Sequence, residues 1–489
     1  MTMTSPQEQH DLVILGAGSA AFAAALHAAE LGKSAVMTEC RTVGGTCVNR
    51  GCLPSKNMIE AARLVYDAAH PRYPGLSPLQ IPVNWAELVA QKDEVIQEYR
   101  AHKYESLLDN PDHMQVVPGH AHLVSDHEVE VRSTDGARRL LGEQILIATG
   151  SQPLIPRIPG LVDVPYLTSD LLSSSDDPWK TELREQPRSL LIWGGGYIAL
   201  ELGQMFARFG TEVTIVTRGN SILSDYEPEI VEALTEILKA EGLRIVTGAQ
   251  VCSVRKEGEG IALSVKLNGS QQTLPAEKLL VATSRRPSTQ EIGLEQAGVE
   301  VDQAGAVRVD RTLRTNVPHI WAAGDVIGRE TESQMATPVG AYDGRTAAHN
   351  ALSGEKLREV NHTLIPRTIF TDPQVAVIGM TDEEANAAGI ACECSTIPMS
   401  FVPRAGAIRD TRGLIKMVLD RPTRRVVGVS MLGVNAGEVI HEAAMALRFG
   451  ATTDDFIDLI HVYPTMAEAL KLVAISFTKD VNRLSCCAS

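Results

Sequence analysis

The sequence predicts an α/β protein with two βαβ units, followed by a C-terminal α+β domain. Residues 11–39 run from a short apolar strand through a glycine-rich turn and an alanine-rich helix to a second strand that ends at Glu39. Residues 189–218 repeat the same order. From about Asn361 onward the segments TDPQVAVIGM, GLIKMVLD and VVGVSMLG predict strands, AGEVIHEAAMALRFG predicts a helix, and a last helix is predicted to end near Arg483.

Length and composition fit this architecture. A chain of 489 residues is long enough for about three domains, and 44% hydrophobic residues exclude a disordered or fibrous protein. The net charge of -15 argues against nucleic acid or an anionic membrane surface as the main partner. The polar start MTMTSPQEQH has no basic region, and no apolar stretch reaches the ~18 residues of a membrane span. We therefore expect a cytoplasmic protein with no membrane partner.

The first glycine motif predicts a dinucleotide site of Rossmann-like type. Gly16 permits the tight turn, Gly18 lets the backbone approach a pyrophosphate, and Ala21 stands where the helix packs closely on the strand. The positive end of the helix favours the anion. Glu39 has the spacing of a carboxylate that accepts hydrogen bonds from a ribose. An ordinary glycine turn is the alternative.

The second motif predicts another nucleotide site, with Gly194, Gly196 and Ala199 in the corresponding places. The strand after its helix is followed by Arg218 instead of a carboxylate. A cation there suits the 2′-phosphate of NADP, so NADPH is favoured over NADH. The alternative is a solvated surface arginine.

Two segments are predicted to connect one domain to another, the first of them because it is rich in proline. The stretch SQPLIPRIPG at 151–160 follows the apolar strand LIATG, and a return lies near Ser284–Pro287. We expect a discontinuous first nucleotide domain at 1–152 and 285–348, a second at 153–284, and the α+β domain at 349–489.

Among eight cysteines, Cys47 and Cys52 predict a redox-active pair. Five positions on an ideal helix correspond to a rotation of about 500°, so the two thiols would point to different faces. Gly44, Gly45 and Gly51 give the backbone the freedom to bend. A positive potential from Lys56 or a helix N-terminus would depress a thiol pKa. Structural zinc and a pair of inert buried thiols are the alternatives.

The segment GGTCVNRGCLPSK resembles the active-site segment of the flavin-dependent pyridine nucleotide–disulfide oxidoreductases, the family of glutathione reductase, dihydrolipoamide dehydrogenase and mercuric reductase. The resemblance extends over nearly the whole chain and includes LIATG at 146–150 and TNVPHIWAAGD at 315–325. It implies that FAD binds, and that Cys52 lies beside the flavin while Cys47 meets the substrate. It also implies that Lys56 pairs with Glu201 near flavin N5. The further flavin-binding residues that it implies are Gly45, Thr46, Thr149, Gly150 and Asp325.

The segment HVYPTMAEAL at 461–470 bears on the substrate. Disulfide-reducing members of the family place a histidine directly before this proline and follow it with a glutamate, here Glu468, whereas this chain has Tyr463 before Pro464. An imidazole with a pKa near ~6.5 moves a thiol proton at neutral pH, and a phenol near ~10 does not. His461 is interpreted as a packed core residue, with a register slip as the alternative.

The adjacent Cys486 and Cys487 predict a soft-metal site, because two thiolates prefer soft cations and chain ends are usually mobile. A chance surface pair is the alternative. The ending LSCCAS is similar to the tail of the mercuric reductases in the family, and Tyr197 and Tyr463 match tyrosines along their metal path. The resemblance implies that Hg(II) passes from Cys486 and Cys487 of one subunit to Cys47 and Cys52 of the other. There it is reduced to Hg(0) with electrons from NADPH through FAD.

The expected protein is therefore a homodimeric, NADPH-dependent Hg(II) reductase that receives thiol-bound Hg(II). Because a short polar tail precedes the first strand, we expect delivery by a cytosolic thiol or another carrier. A disulfide reductase related to dihydrolipoamide dehydrogenase or glutathione reductase is one alternative, and a non-catalytic metal buffer is another. Cys392 and Cys394 alternate in a predicted strand and are either a second soft-metal site or ordinary strand cysteines.

Overall fold

A computed structural model of the chain describes residues 8–109 and 114–483. It has the mixed α/β architecture that the sequence predicts. Two regions are built on parallel sheets, and a third is an antiparallel sheet covered by helices. Cys486 and Cys487 lie outside the described residues.

Within residues 8–109 and 114–483 the strands lie in five sheets, and short 3-10 turns connect several of them. In chain order the strands are β1 (Glu8–Leu15), β2 (Ala35–Glu39), β3 (Met114–Pro118), β4 (His120–Leu123), β5 (Glu128–Ser133), β6 (Gly136–Ile147), β7 (Ser151–Pro153), β8 (Ser189–Trp193), β9 (Glu212–Val216), β10 (Arg244–Val246), β11 (Gln250–Glu257), β12 (Gly260–Leu267), β13 (Ser270–Ala276), β14 (Lys278–Val281), β15 (Arg285–Pro287), β16 (Ile320–Ala322), β17 (Arg367–Ile369), β18 (Gln374–Gly379), β19 (Cys392–Pro398), β20 (Leu414–Asp420) and β21 (Val426–Gly433).

The helices connect the parallel strands and cover the antiparallel sheet. In chain order they are α1 (Ser19–Glu30), α2 (Gly45–Arg50), α3 (Cys52–Ala69), α4 (Trp85–Lys103), α5 (Tyr197–Arg208), α6 (Pro228–Ala240), α7 (Thr337–Leu352), α8 (Asp382–Ala387), α9 (Pro403–Ala407), α10 (Ala436–Arg448), α11 (Thr453–Asp458) and α12 (Glu468–Ile475).

The first sheet has the order β3-β2-β1-β6-β5-β4, with β16 also paired to β6. Strands β3, β2, β1, β6 and β16 are parallel, and α1 crosses from β1 to β2 as the first glycine motif predicts. The long β6 also pairs with β5 in the antiparallel sense, so one strand belongs to both parts of the sheet. β2 ends at Glu39, which places that carboxylate at the carboxyl edge of the sheet.

The second parallel sheet has the order β10-β9-β8-β14, and α5 crosses from β8 to β9. An antiparallel meander of β11, β12 and β13 lies between β10 and β14 in the chain. The chain enters this region through β7 and leaves it through β15. These two strands pair with each other, and Ser151 lies opposite Pro287.

The C-terminal sheet is antiparallel, with the order β17-β18-β21-β20-β19. The last predicted helix ends earlier than expected, because α12 stops at Ile475 and a separate 3-10 turn covers Val481–Arg483. The hydroxyl of Ser476 donates to the carbonyl of Val473 over 2.6 Å. Side-chain hydroxyls that bind nearby carbonyls compete with the helical ladder, so the helix does not continue.

In the described part of the chain the buried apolar residues form four clusters, one of which is shared by all three regions. That shared core contains Met58 of α3, Phe206 of α5 and Val375 of β18. It therefore fixes the active-site helix against both the second parallel sheet and the C-terminal sheet. Among the described residues, no helix combines the length and apolarity needed to cross a membrane.

Candidate active site

The first glycine turn leaves no room for a side chain at Gly16. Gly16 has φ +114°, and a Cβ there would stand 2.4 Å from the carbonyl oxygen of Ala148. Gly18 caps the N-terminus of α1 with extended backbone, and Ala21 is fully buried one turn later. The free N–H groups at this end of α1 are a site for an anion.

The thiol-bearing segment packs directly on this turn. A Cβ on Gly45 would stand 2.7 Å from Cα of Gly18, so the two backbones touch. Gly45 is the first residue of α2 and Thr46 the second, which brings a second helix start to the same place. The two bare backbones form a cradle of the kind that a pyrophosphate fills, and the residues present fit FAD.

Polar groups that the sequence assigns to the flavin line the same edge of the sheet. Glu39 accepts hydrogen bonds from the backbone N–H of Ala17 (3.3 Å) and of Arg41 (2.8 Å), and burial raises its pKa. Asp325 accepts a hydrogen bond from the Ser151 hydroxyl over 2.6 Å. Both carboxylates are thus held in place by neighbouring protein donors.

The loop after β6 is held in the same way. The Thr149 hydroxyl donates to the carbonyl of Ser288 over 2.7 Å, and Gly150 has φ +70°. The Arg285 guanidinium donates to the hydroxyl and the carbonyl of Ser151, both over 2.8 Å. Arg285 thereby joins β15 to the residue that positions Asp325.

The second glycine turn has the same construction. Gly194 has φ +144°, and a Cβ there would stand 2.1 Å from the carbonyl oxygen of Ala282. Gly196 is the N-cap of α5, and Ala199 is fully buried behind it. Arg218 follows β9 at an exposed position. The free N–H groups at the start of α5 fit a nucleotide pyrophosphate.

The segment with the two thiols is bent, as their spacing requires. Gly44 and Gly45 have positive φ values of 91° and 69°, and α2 ends before Gly51. Helix α3 then begins at Cys52. A Cβ on Gly51 would stand 3.4 Å from Cα of Cys47, so the backbone just before Cys52 lies close to the backbone of Cys47.

The two thiols have opposite electrostatic environments. The Cys47 thiol donates a hydrogen bond to the Cys52 sulfur, and this contact lowers the pKa of Cys52 to about 6. The Lys56 ammonium favours the Cys52 thiolate further. The same contact with Cys52, together with burial, raises the pKa of Cys47. In the dithiol form the negative charge therefore resides on Cys52 at neutral pH.

Lys56 lies on α3 one turn after Cys52, and an ion pair with a residue of α5 holds its side chain in place. Its Nζ lies 2.7 Å from Oε2 of Glu201, a carboxylate buried on α5. The other oxygen of Glu201 accepts the backbone N–H of Phe370 over 2.9 Å, and the Lys56 ammonium lies 4.7 Å from the ring centroid of Phe370. Three regions of the chain thus fix one ammonium group near Cys52.

Thr337 is a site residue that the motif analysis missed. Its Oγ1 lies 3.9 Å from Sγ of Cys52, and its hydrogen bonds lower the pKa values of both Cys47 and Cys52. Thr337 is the first residue of α7, and Pro338 follows it. A proline at the start of a helix is a recognisable signal, so the sequence locates the helix start but not its proximity to the thiols.

Tyr197 stands at the first position of α5, directly after the second glycine turn. Burial raises its pKa to about 12, and the charges that act on it include those of Glu201 and Cys52. Its phenol is therefore neutral at pH 7, close enough to Cys52 to feel its charge. The tyrosine does not supply a base at neutral pH.

His461 does not face the solvent. Its Nε2 lies 2.9 Å from Oε1 of Glu442 on α10, and its side chain is 5% exposed. Tyr463, two residues later, is 47% exposed. Glu468, the first residue of α12, accepts the backbone N–H of Thr465 over 3.1 Å and so closes the intervening turn.

Among the described residues, one group of three metal-ligating side chains comes together, formed by Asp126, His127 and His319. The two rings stack at 3.7 Å with an angle of 4° between their planes. An imidazole lone pair lies in the ring plane, so parallel stacked rings do not converge on one ion. The predicted metal ligands Cys47 and Cys52 are at the bend described above, and Cys486 and Cys487 lie outside the described residues.

Comparison with known proteins agrees with this geometry. Residues 10–352 match the pyridine nucleotide-disulphide oxidoreductase family, and residues 365–474 match its dimerisation domain. The mercuric reductase of Streptomyces lividans is 41% identical over 98% of this chain and 98% of its own length. The mercuric reductase of Staphylococcus aureus is 39% identical over 98% of this chain and 84% of its own length.

Solved structures give the same result for the fold. The HOCl-induced flavoprotein disulfide reductase RclA from Escherichia coli has 30% sequence identity and a TM-score of 0.83, with 96% of this chain and 100% of that chain covered. Its Cu(II) complex has a TM-score of 0.84 at the same identity, with 97% of this chain and 100% of that chain covered.

Proposed function

Because the chain belongs to the pyridine nucleotide-disulphide oxidoreductase family, we propose that it is an FAD-containing enzyme that uses NADPH to reduce Hg(II) to Hg(0). The net reaction is balanced: NADPH and Hg(II) give NADP⁺, Hg(0) and one proton. Seven relatives named mercuric reductase, at 36–41% identity over nearly the whole chain, support this substrate. A bound flavin supplies the two-electron transfer between nicotinamide and sulfur.

The residues around the thiols prepare a sulfur donor pair. Lys56 and Thr337 favour the Cys52 thiolate, and Cys47 keeps a proton until a cation displaces it. Hg(II) bound to two small thiols enters by exchange: each new Cys–Hg bond replaces one Hg–thiolate bond, and the proton of Cys47 leaves with the released thiol. Two soft sulfur ligands at one bend are the donor set that a soft cation prefers.

One observation favours a metal ion over a disulfide as the substrate. Dithiol–disulfide exchange needs a group that moves a proton at neutral pH, and the imidazole of His461 is bound to Glu442. Among the exposed residues of that segment, Tyr463 carries the polar side chain, a phenol. A phenol can approach a soft cation but does not accept a thiol proton at pH 7.

A homodimer would bring Tyr463 to a second active site. Large apolar side chains are exposed on and beside α10: Met445, Phe449, Ile460 and Val462 are 60%, 77%, 91% and 77% exposed. The ion pair of His461 with Glu442 holds this segment against α10. An exposed apolar surface of this kind is typical of an interface between subunits, and it lies in the residues that match the dimerisation domain.

Two further assignments come from the sequence, the first through the resemblance and the second from the position of an arginine after β9. Cys486 and Cys487 would deliver Hg(II) to the bend of the partner subunit, and Arg218 would bind the 2′-phosphate of NADPH. If the delivery is correct, replacing both tail cysteines by alanine lowers the rate with thiol-complexed Hg(II). Unchanged steady-state rates would contradict it. If Arg218 reads the phosphate, Arg218→Ala raises KM for NADPH by about tenfold and leaves KM for NADH unchanged.

The test of the proposal is the choice of electron acceptor. Purified protein with excess small thiol is expected to oxidise NADPH when Hg(II) is added, and hardly at all with glutathione disulfide or lipoamide. The similarity to a flavoprotein disulfide reductase makes the disulfide the second candidate substrate. The reverse pattern of acceptors would establish that function and reject Hg(II) reduction.

A further inference from the structure

The edge strand of the C-terminal sheet carries two cysteines that the redox reaction does not use. Cys392 and Cys394 lie two residues apart in β19, so their side chains are on the same face. Ile397, on the opposite face, is 3% exposed and belongs to the core of the C-terminal region. Cys392 is half-buried and Cys394 is exposed.

The two thiols contact each other and the start of α8. Desolvation of its sulfur by the neighbouring protein, the charge of Cys392 and a hydrogen bond between the two thiols raise the pKa of Cys394 to about 12, although part of the Cys394 side chain is open to solvent. Sγ of Cys392 lies 3.8 Å from the backbone carbonyl oxygen of Asp382, the first residue of α8. Two sulfurs and one carbonyl oxygen therefore converge at the edge of the sheet.

The strand geometry disfavours a disulfide between these thiols. Residues two apart in an extended strand have Cα atoms about 6.5 Å apart, at the upper end of the disulfide range, whose usual value is ~5.5–6 Å. The pairing of β19 with β20 is continuous from Cys392 to Pro398, without a bulge that would shorten the strand. A cation between two sulfurs spans a wider gap than the ~2.05 Å of an S–S bond.

We propose that Cys392 and Cys394 form a separate binding site for a thiophilic cation of the Hg(II) class, outside the redox centre. Both sulfurs bind the ion, and the carbonyl oxygen of Asp382 lies at the side of Cys392. Soft thiolate ligands select soft cations, whereas zinc in structural sites takes four strong ligands. Cys394 is exposed, so the ion reaches the site from solvent without passing through the bend at Cys47 and Cys52.

Binding is a ligand exchange without oxidation or reduction. Hg(II) bound to two small thiolates loses both, and two bonds to Cys392 and Cys394 form in their place. The two cysteine protons leave with the released thiols, so atoms and charges balance. Once one sulfur has bound, the other acts at a high effective concentration. The pair therefore retains the ion in the presence of a free thiol at a concentration that removes the ion from a single cysteine.

The experiment counts bound mercury in the flavin-loaded full chain without NADPH. The protein is mixed with HgCl₂, desalted in buffer containing glutathione, and analysed for mercury per chain. We expect the double variant Cys392→Ser with Cys394→Ser to retain one ion fewer than the wild type, and Cys394→Ser alone to lose the same ion. Cys252→Ser is the matched control, because Cys252 is an exposed cysteine in a strand with no second cysteine beside it, and its count should not change.

Peptide mapping gives an independent readout. Trypsin releases residues 368–404 as one peptide, which contains Cys392 and Cys394 as its cysteines. After Hg(II) loading, both should be protected from N-ethylmaleimide added with denaturant, and both should react without Hg(II). Equal mercury counts in the wild type and the double variant, or full labelling of the loaded peptide, would overturn the proposal. Without NADPH the result does not depend on turnover, so failure here is distinct from failure of the proposed reaction.

Discussion

Cys52 and Cys394 are both in contact with a second cysteine, yet their pKa values move in opposite directions. Contact with Cys47 lowers the pKa of Cys52 to about 6, whereas burial and the charge of Cys392 raise the pKa of Cys394 to about 12. Each has a lysine among the charges that act on it. A thiol pair near a lysine is therefore not by itself a reactive centre.

The largest causes of the difference are the hydrogen bond from Cys47 at Cys52 and desolvation at Cys394, and the partners of each lysine add to it. Lys56 has one carboxylate partner, Glu201, and its remaining charge acts on Cys52 at the start of α3, where the helix end also favours an anion. Lys416, on the strand next to Cys394, is buried and bound by three carboxylates: Glu227, Glu229 and Asp382. Those partners offset much of its positive charge, and its effect on Cys394 is smaller than that of desolvation and of the charge of Cys392, so Cys394 keeps its proton.

The largest effect should follow from removing the reactive sulfur. Cys52→Ala is expected to lower the rate of Hg(II)-dependent NADPH oxidation by at least about a thousandfold, because in the proposed reaction this sulfur receives the electrons and binds the ion. Cys252→Ala is the control and should retain the wild-type rate. A Cys52→Ala enzyme with more than a tenth of the normal rate would place the reactive sulfur elsewhere.

The next effect compares the two thiols directly. At pH 7 a thiol with a pKa of about 6 is ~90% thiolate, whereas the thiolate fraction of a thiol with a pKa of about 12 is only ~10⁻⁵. The more acidic thiolate is also the weaker nucleophile, which reduces this difference in rate by a factor of about 10²–10³. We expect Cys52 to react with iodoacetamide about a hundredfold faster than Cys394 in the reduced protein. Peptide mass spectrometry over a time course measures both rates, and equal rates would refute the contrast.

Removing the charge of Lys56 should raise the pKa of Cys52 toward that of Cys394. In Lys56→Gln the pKa of Cys52 should rise by about one unit, because an opposite charge that favoured the thiolate is gone. The midpoint of the pH profile for Cys52 alkylation then moves from about pH 6 to higher pH, and the rate at pH 6 falls. Lys239→Gln, which removes an exposed lysine paired with Glu236, should leave the profile unchanged.

The smallest effect concerns the hydroxyl beside Cys52. Thr337→Val keeps the volume but removes the hydrogen bond to sulfur, so the pKa of Cys52 should rise by about half a unit, less than with Lys56→Gln. Thr337→Ser should restore the wild-type profile. If Thr337→Val and Thr337→Ser shift the pH profile of Cys52 alkylation equally, Thr337 acts through packing and not through its hydroxyl.

The fold was predictable because its signals are local. Each glycine turn lies between a strand and a helix that are adjacent in the sequence, and the predicted end of β2 at Glu39 is confirmed. The family and the resemblance to mercuric reductases are also confirmed. Fold class and family are therefore predictable from short segments, each of which can be interpreted without knowing how distant parts of the chain pack.

The neighbours of the thiols were only partly predictable. Thr337 is 285 residues from Cys52, and Phe370 meets Lys56 from the C-terminal region. No local periodicity encodes such contacts, because they depend on how whole regions pack. The roles of the two cysteine pairs, of Tyr463 and of Arg218 stay predictions, since they require ligands or a second subunit.

The core that joins Met58, Phe206 and Val375 couples the regions energetically as well as spatially. Separating any one region would expose apolar surface on the other two, so the chain should melt largely as one cooperative unit. A ligand that binds the native state alone shifts the whole unfolding equilibrium. Flavin bound at the first glycine turn would thereby raise the melting temperature of the C-terminal sheet together with that of the first sheet.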